Sequence, residues 1–289
     1  MKKVVVIDGN NLYARGFGIC KYSRANALKF VVGMILTVKN TNKDARIVFA
    51  FDTMKSKRRL ELFPNYKGNR KSSLTPEEKQ EFNRCFNELV LLMKTTGCTV
   101  MDGYGYEADD FIACFTRMLR PIYAVTVIST DNDLYQLIND NVSQFDPFKS
   151  ILITKDNFEN VVGIPHESFV DYKCIVGDPS DSIPGYDGVG EKTARKYLSF
   201  HRNYEGIFKA VSVMTGKKKE VEKRMSDRSI YERNKQLIDL EFYYNDIDLK
   251  KHIKRMVEES KLNEPTMYKI MLQNDIGELF EDVKGLCRT

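Results

Sequence analysis

Four short apolar runs set the terms for this chain: VVVI at 4–7, IVFAF at 47–51, CTVM at 98–101 and AVTVIS at 124–129, each soon followed by aspartate. Unbroken, β-branched runs of this length suit strands buried on both faces of a parallel sheet. Helical patterns lie between them. ANALKFVVGMILTVK fills 25–39, and a second helix begins at Thr75, with Pro76 at its first position and Glu78 completing a capping box. Its apolar face continues through Phe82, Phe86, Leu89 and Met93. Alternating strands and helices predict a doubly wound α/β domain over about the first 160 residues, and from about 167 the pattern turns helical.

In an open parallel sheet the strands end at one edge, and that carboxyl edge is where such folds place their sites. Asp8, Asp52, Asp131 and Asp133 follow strands directly. Glu107, Asp109 and Asp110 open the helix reached from CTVM through Asp102 and a glycine-rich turn. Taken singly, each acid reads as a helix cap, a turn former or a complement to the helix dipole. As a set of seven they repel one another, and must take up protons or find cations. Hard divalent cations with oxygen ligands resolve the conflict, and an open, hydrated site fits Mg²⁺ or Mn²⁺. The set holds no His or Cys, which argues against zinc.

A basic strip, TMKSKRRLELFPNYKGNRKSS, leaves the Asp52 strand end. It carries Lys55, Lys57, Arg58, Arg59, Lys67, Arg70 and Lys71, with Phe63 and Tyr66 interleaved. Such a run is most often a solvated loop. Its origin beside the acids and its aromatics point instead to a polyanion, with phosphates on the cations and bases on the rings. Downstream, IVGDPSDSIPGYDGVGEKTARKYL at 175–198 adds Asp178 and Asp181, then a Gly188-Val189-Gly190 turn before Lys192, Arg195 and Lys196. Gly-x-Gly alone is a weak signal. Between two helices, with a basic face after it, it reads as a helix-hairpin-helix that grips duplex backbone through exposed N–H groups. The patch GKKKEVEKR at 216–224 reads as a solvated basic loop or helix end.

Composition adds bounds. The 289 residues are 42% hydrophobic and 29% charged, with net charge +5, ordinary for a globular protein. Six scattered cysteines with no Cys-x-x-Cys pair read as buried free thiols in a reducing compartment. MKKVVVID has too short an apolar run for a signal peptide, and nothing approaches a membrane span, so a soluble cytoplasmic protein with no membrane partner is expected.

The segments VVVIDGNNLYAR, FAFD, FPNYKGNRK, GYEADD, STDNDLYQLI, GDPSDSIPGYDGVGEKTA and, more weakly, ERNKQLIDLEF occur in the order found in the 5′-nuclease (flap endonuclease) family. Over about positions 4 to 242 the chain resembles that family, especially the stand-alone phage 5′-3′ exonucleases and the nuclease domain of bacterial DNA polymerase I. The resemblance implies a PIN-like, mostly parallel α/β core over 1–165 with a helical arch at about 53–100. A helical region over 166–289 would follow, its helix-hairpin-helix at about 170–200. It implies a metal set of Asp8, Asp52, Glu107, Asp109, Asp110, Asp131, Asp133, Asp178 and Asp181, serving two Mg²⁺ or Mn²⁺ ions about 3.5–4 Å apart. Lys67 and Arg70 would be the active-site cations of the arch, with Tyr66 beside the threaded strand. Arg15 and Lys173 would lie near the reacting phosphate, and Gly188, Gly190 and Lys192 would bind duplex DNA with a K⁺ ion.

The implied activity is two-metal hydrolysis near 5′ ends, both exonucleolytic and at flaps, with RNA–DNA hybrids, ribonuclease H activity, replication proteins and a monomeric state as further implications. Residues 250–289 match nothing in that resemblance. A non-cleaving, structure-specific DNA-binding relative stays open as an alternative. A compact PIN-type ribonuclease would lack both arch and hairpin. A dinucleotide-dependent oxidoreductase is disfavoured because DGNNLYARG lacks the Gly-x-Gly-x-x-Gly phosphate loop.

Overall fold

The computed structural model describes residues 1–21, 23–70, 73–120, 122–212 and 220–287. Lys71 and positions 216–219 of the basic patch lie outside the described residues. The chain divides into two compact units that are not two consecutive stretches. One comprises Met1–Lys55, Ser72–Leu152 and Tyr243–Thr289; the other comprises Ser56–Lys71 and Ile153–Phe242.

The first unit opens with β1 (Lys2–Asp8), α1 (Gly9–Ile19), α2 (Arg24–Thr41) and β2 (Ala45–Phe51). After α3 (Lys57–Leu62), which belongs to the second unit, come α4 (Pro76–Thr95), β3 (Thr99–Asp102), α5 (Ala108–Leu119), β4 (Tyr123–Ile128) and β5 (Val142–Asp146). β6 (Ile151–Ile153) stands where the chain leaves the unit. The sheet runs in the order β3-β2-β1-β4-β5-β6, and its pairs from β3 to β5 are parallel. Val4, Val5, Val6 and Ile7 are all buried, as unbroken apolar strands require. The strand order reverses between β1 and β4, which is a topological switch point. Register there pairs Asp8 with Ala50 and Ile7 with Ile128, so neighbouring strands end level.

The stretch expected as an arch, about 53–100, is divided. α4 carries the expected capping box of Thr75 and Glu78, but its second half is a core helix, burying Cys85, Leu89, Val90, Leu92 and Met93. Only Ser56–Lys71 belongs to the other unit.

That second unit continues with α6 (Phe158–Val162), α7 (Phe169–Val176), a two-stranded ribbon of β7 (Gly177–Asp178) and β8 (Ile183–Pro184), α8 (Glu191–His201), α9 (Tyr204–Ser212), α10 (Glu220–Met225) and α11 (Arg228–Ile238). The buried Asn234 side chain donates to Cys174 O (2.8 Å) and Pro184 O (2.9 Å), tying α11 to α7 and β8. In the first unit α12 (Ile247–Glu259), α13 (Glu264–Gln273) and α14 (Phe280–Lys284) complete the core, where Met267, Ile270, Met271, Ile276, Val283 and Leu286 join side chains of α2 and α4. Residues 250–289, silent in the sequence, are thus partly a wall of the α/β unit.

Gly9 couples packing to the site. A Cβ built there falls 2.1 Å from Phe51 Cε1, and Phe51 is fully buried, so its ring has little room to yield. Gly9→Ala is expected to lower the free energy of unfolding by about 1–3 kcal/mol, the usual cost of overpacking, measured by urea denaturation. An unchanged midpoint would mean that α1 can lift away from β2 without cost.

Candidate active site

The carboxyl edge of the first unit is built from capping interactions that the sequence places one by one. Asp8 ends β1 and N-caps α1, accepting from Asn11 N (3.1 Å) and from Ser129 Oγ (2.7 Å). Asp52, just past β2, accepts from Ala108 N at the start of α5. Its own backbone is held by Asn10, whose Oδ1 takes Asp52 N (2.6 Å) and whose Nδ2 donates to Asp52 O (3.3 Å). Glu107 and Asp110 form a reciprocal capping box on α5 and are both buried, while Asp109 is half-buried. Asp131 caps the short 3-10 turn at 132–137 and accepts from Asp133 N (2.9 Å).

The electrostatics of Asp8 show that this edge is crowded with negative charge. Burial pushes its carboxyl up to about 7. The Ser129 hydroxyl and Asn11 N–H oppose the shift, and the charges of Asp131 and Asp52 reinforce it. The charges of Asp131 and Asp52 thus both reach Asp8. No three His, Cys, Asp or Glu side chains among the described residues stand as a ready coordination shell. The donor set still fits a hard divalent cation: it is all oxygen, and Asp8 sits in a field that a positive charge would relieve.

In the second unit the remaining expected residues form a different arrangement, in which acids and bases are matched. Asp178 accepts from Ser180 N (2.9 Å), Ser180 Oγ (2.7 Å) and Lys173 Nζ (2.9 Å). Burial alone would raise its carboxyl, but Lys173 and the hydrogen bonds outweigh it and hold the group at about 2. Asp181 accepts from Tyr66 Oη (2.9 Å), pairs with Arg70, and lies 3.9 Å from Lys67 Nζ. Lys67 also donates its backbone N–H to Asp181 O (2.8 Å). Arg15, on α1 of the first unit, is exposed.

Two readings of the basic strip need correction. Tyr66 is only 2% exposed. Its ring lies under the cations of Arg59 and Lys67, so it supports them and cannot stack beside a bound strand. Arg59 points inward as well, 3% exposed, with Nε on Leu237 O (2.9 Å). Burial followed from contacts with α11, which a linear charge count does not register. The hairpin also distinguishes its two glycines. Gly188 has φ +71 and a Cβ there would meet Arg224, whereas Gly190 caps α8 with ordinary extended backbone and no protein atom within 4 Å of its missing Cβ. Lys192 is exposed beside it.

Asn10, Asn11, Ser129 and Gln144 were missed by sequence reasoning. Three of them stand inside the motif segments DGNN and STDND, yet as neutral residues they carry no signal of their own.

An acid-rich switch point on a parallel sheet, together with a helical unit bearing a hairpin, defines a metal-dependent nuclease. The model of the 5′-3′ exonuclease N-terminal resolvase-like domain matches residues 3–163, and that of the 5′-3′ exonuclease C-terminal SAM fold matches residues 164–264. The chain belongs to the 5′-3′ exonuclease family. It is similar to the bacteriophage T5 5′-exonuclease with divalent zinc bound, at 28% identity and TM-score 0.78, covering 89% of this chain and 99% of that one. It is also similar to bacteriophage T5 flap endonuclease in a complex with DNA and metal ions, at 26% identity and TM-score 0.77 over the same shares. The thermostable DNA polymerase I of Thermus thermophilus is 33% identical over 214 residues, covering 72% of this chain. The chain spans about a quarter of the length of the DNA polymerase I relatives it matches.

A carboxyl raised in the folded state makes stability depend on pH in a defined direction. Between the unfolded value of 3.8 and about 7, the folded protein keeps a proton on Asp8 that the unfolded chain releases, so stability falls as pH rises through that window. Asp8→Asn removes this loss. In EDTA the variant is expected to unfold at higher urea than wild type at pH 8, with the gap closing toward pH 4. A gap that is constant with pH, or of the opposite sign, would mean that Asp8 ionises freely.

Proposed function

We propose that this protein hydrolyses phosphodiesters near the 5′ ends of DNA, cutting flaps endonucleolytically and shortening strands exonucleolytically. Its substrates are 5′ flaps, nicks and ends, and its reach includes the RNA strand of RNA–DNA hybrids. It acts as a cytoplasmic monomer beside replication proteins. The observation that carries the reading is the convergence of Asp8, Asp52 and Asp131 on the level strand ends of the switch point. Family membership and the T5 relative crystallised with DNA and metal ions support it.

In the proposed mechanism Asp8, Asp52, Glu107, Asp109 and Asp110 would hold one divalent cation and Asp131 and Asp133 a second, with Asp178 and Asp181 as further expected ligands and Mg²⁺ as the expected ion. Bound there, such cations lower the pKa of a coordinated water and neutralise charge on the phosphate. Water adds to phosphorus as it gives up a proton to solvent, the bond to the leaving nucleoside oxygen breaks, and that oxygen takes up a proton from solvent. Lys67 and Arg70 stabilise charge that grows on the scissile phosphate, while Arg15 and Lys173 neutralise phosphates beside it. Asp181 holds Lys67 and Arg70 oriented until a phosphate competes for them. Gly188, Gly190 and Lys192 receive duplex backbone, with K⁺ bound at the hairpin.

Cleavage of a 5′-labelled flap and a nicked duplex in Mg²⁺, with EDTA as control, tests the reading. Product length separates the two activities. DNA binding with no product in Mg²⁺ or Mn²⁺ would assign the protein to the non-cleaving relatives instead.

Lys67→Ala is expected to slow single-turnover cleavage by about 10²–10³, the usual cost of one preorganised donor, while flap affinity changes only several-fold. Lys57→Ala, removing a side chain that is 83% exposed, is the control and changes little. Equal, small effects would reduce Lys67 to a general phosphate contact.

The glycines give a second test. A Cβ added at Gly190 has no protein atom within 4 Å, so the melting temperature of Gly190→Val should hold while duplex affinity falls and its salt dependence flattens. Gly188→Val, at positive φ, should lower stability as well. Wild-type duplex affinity in Gly190→Val would remove the hairpin from the DNA interface.

A further inference from the structure

Between the strand-end carboxylates Asp8 and Asp131 at the switch point lies a buried hydroxyl. Ser129, 2% exposed, donates Oγ–H to Asp8 Oδ2 (2.7 Å), and the same oxygen accepts Asp131 N–H (3.0 Å). A hydroxyl has one proton to give, so the two contacts fix its orientation. The other Asp8 oxygen is held by Asn11 N (3.1 Å).

The short segment that carries this hydroxyl is clamped from both sides. Gln144 on β5, 1% exposed, donates Nε2 to Ser129 O (3.0 Å) and to Asp131 O (2.8 Å). Asn11 Oδ1 receives both Thr130 N and Thr130 Oγ1, each at 2.9 Å. Among the described residues, Gln144 Oε1 is buried with no hydrogen-bond partner. A bare buried carbonyl is costly, and a methionine of similar shape would fill the space without that cost. Packing alone does not account for a glutamine here. Its two donated bonds to the 129–131 backbone do.

We propose that Ser129, braced by Gln144 and Asn11, is a positioning residue that sets Asp8 and Asp131 against each other for cation binding. The inference rests on the reading of this edge as the cation site. Asp8 can turn one oxygen toward a cation while the other stays on the hydroxyl. Partners that orient a ligand in this way typically contribute 10–100-fold to metal affinity or activity.

The test is Mn²⁺ binding to the DNA-free protein, read from the electron paramagnetic resonance of free Mn²⁺, beside single-turnover flap cleavage across a Mn²⁺ titration. Ser129→Ala is expected to bind Mn²⁺ about 10-fold more weakly or worse, and its cleavage midpoint should move to higher Mn²⁺ while the plateau largely recovers. Ser129→Thr keeps the hydroxyl and should restore affinity to within a few-fold of wild type. Gln144→Met leaves the hydroxyl but releases the backbone that carries it, so it should shift affinity in the same direction as Ser129→Ala. It carries the test if Ser129→Ala does not fold by circular dichroism. Wild-type Mn²⁺ affinity in the folded variants, or equal losses in Ser129→Ala and Ser129→Thr, overturns the proposal. If wild type itself neither binds Mn²⁺ nor cleaves, the reading of the edge falls and this inference with it.

Discussion

β1 sits between β2 and β4 in parallel register, and the rest of the molecule depends on that pairing. A strand buried on both faces does not select its own register strongly, because a one-residue slip still buries apolar side chains. What selects it is chemistry at the strand end. Asn10 takes and gives a hydrogen bond with the Asp52 backbone. Asn11 Oδ1 accepts from both Thr130 N and Thr130 Oγ1, on the β4 side. Two consecutive neutral residues thereby pin the ends of β2 and β4 to the start of α1. A slip would break both sets of bonds and carry Asp8 off the edge. The register and the site are one constraint.

That arrangement gathers negative charge where the protein gains least from it. Asp8 is held at about 7 while Asp178, in the second unit, is held at about 2. Burial raises both carboxyls, and only Asp178 has partners that outweigh it. Asp178 has the Lys173 ammonium against it, and Asp8 has the charges of Asp131 and Asp52. Carboxylates arranged to repel are a strain that packing elsewhere must offset, as functional sites often require. Here the offset comes from a core that runs through α2, α4 and the last helices of the chain. The acids matched by cations in the second unit impose no such burden.

Much of this was legible in the sequence because the signals are local. β-branched runs marked β1 to β4, a Thr75-Pro76-Glu78 cap marked α4, and aspartates at strand ends marked the edge. What stayed hidden depends on distant partners. The sequence of α13 and α14 shows apolar residues, but not that Met271 and Val283 close the core of a sheet built from the first half of the chain. Tyr66 reads as an exposed ring in a basic loop until Asp181, more than a hundred positions on, accepts its hydroxyl. Ser129 and Gln144 reveal their part only once β4 and β5 lie side by side.

The same distinction revises the electrostatics of the basic strip. Counted along the chain, its cations look equivalent. In the fold, Arg59 is buried on Leu237 O and Arg58 lies over Phe242 with its NH1 on Gln236 O, so both guanidiniums are tied to the protein. Lys67 and Arg70 are paired to Asp181. Each such cation must give up a partner before it can meet a phosphate, and the Coulombic gain is reduced by what it leaves behind. Lys57, 83% exposed and 4.0 Å from Glu61 Oε1, is held only at the surface, and Arg15 on α1 is exposed. The paired cations are held for a phosphate placed well enough to displace a carboxylate. A strip that binds loosely at its exposed positions and selectively at its paired ones favours substrate that is correctly seated over substrate that is merely charged.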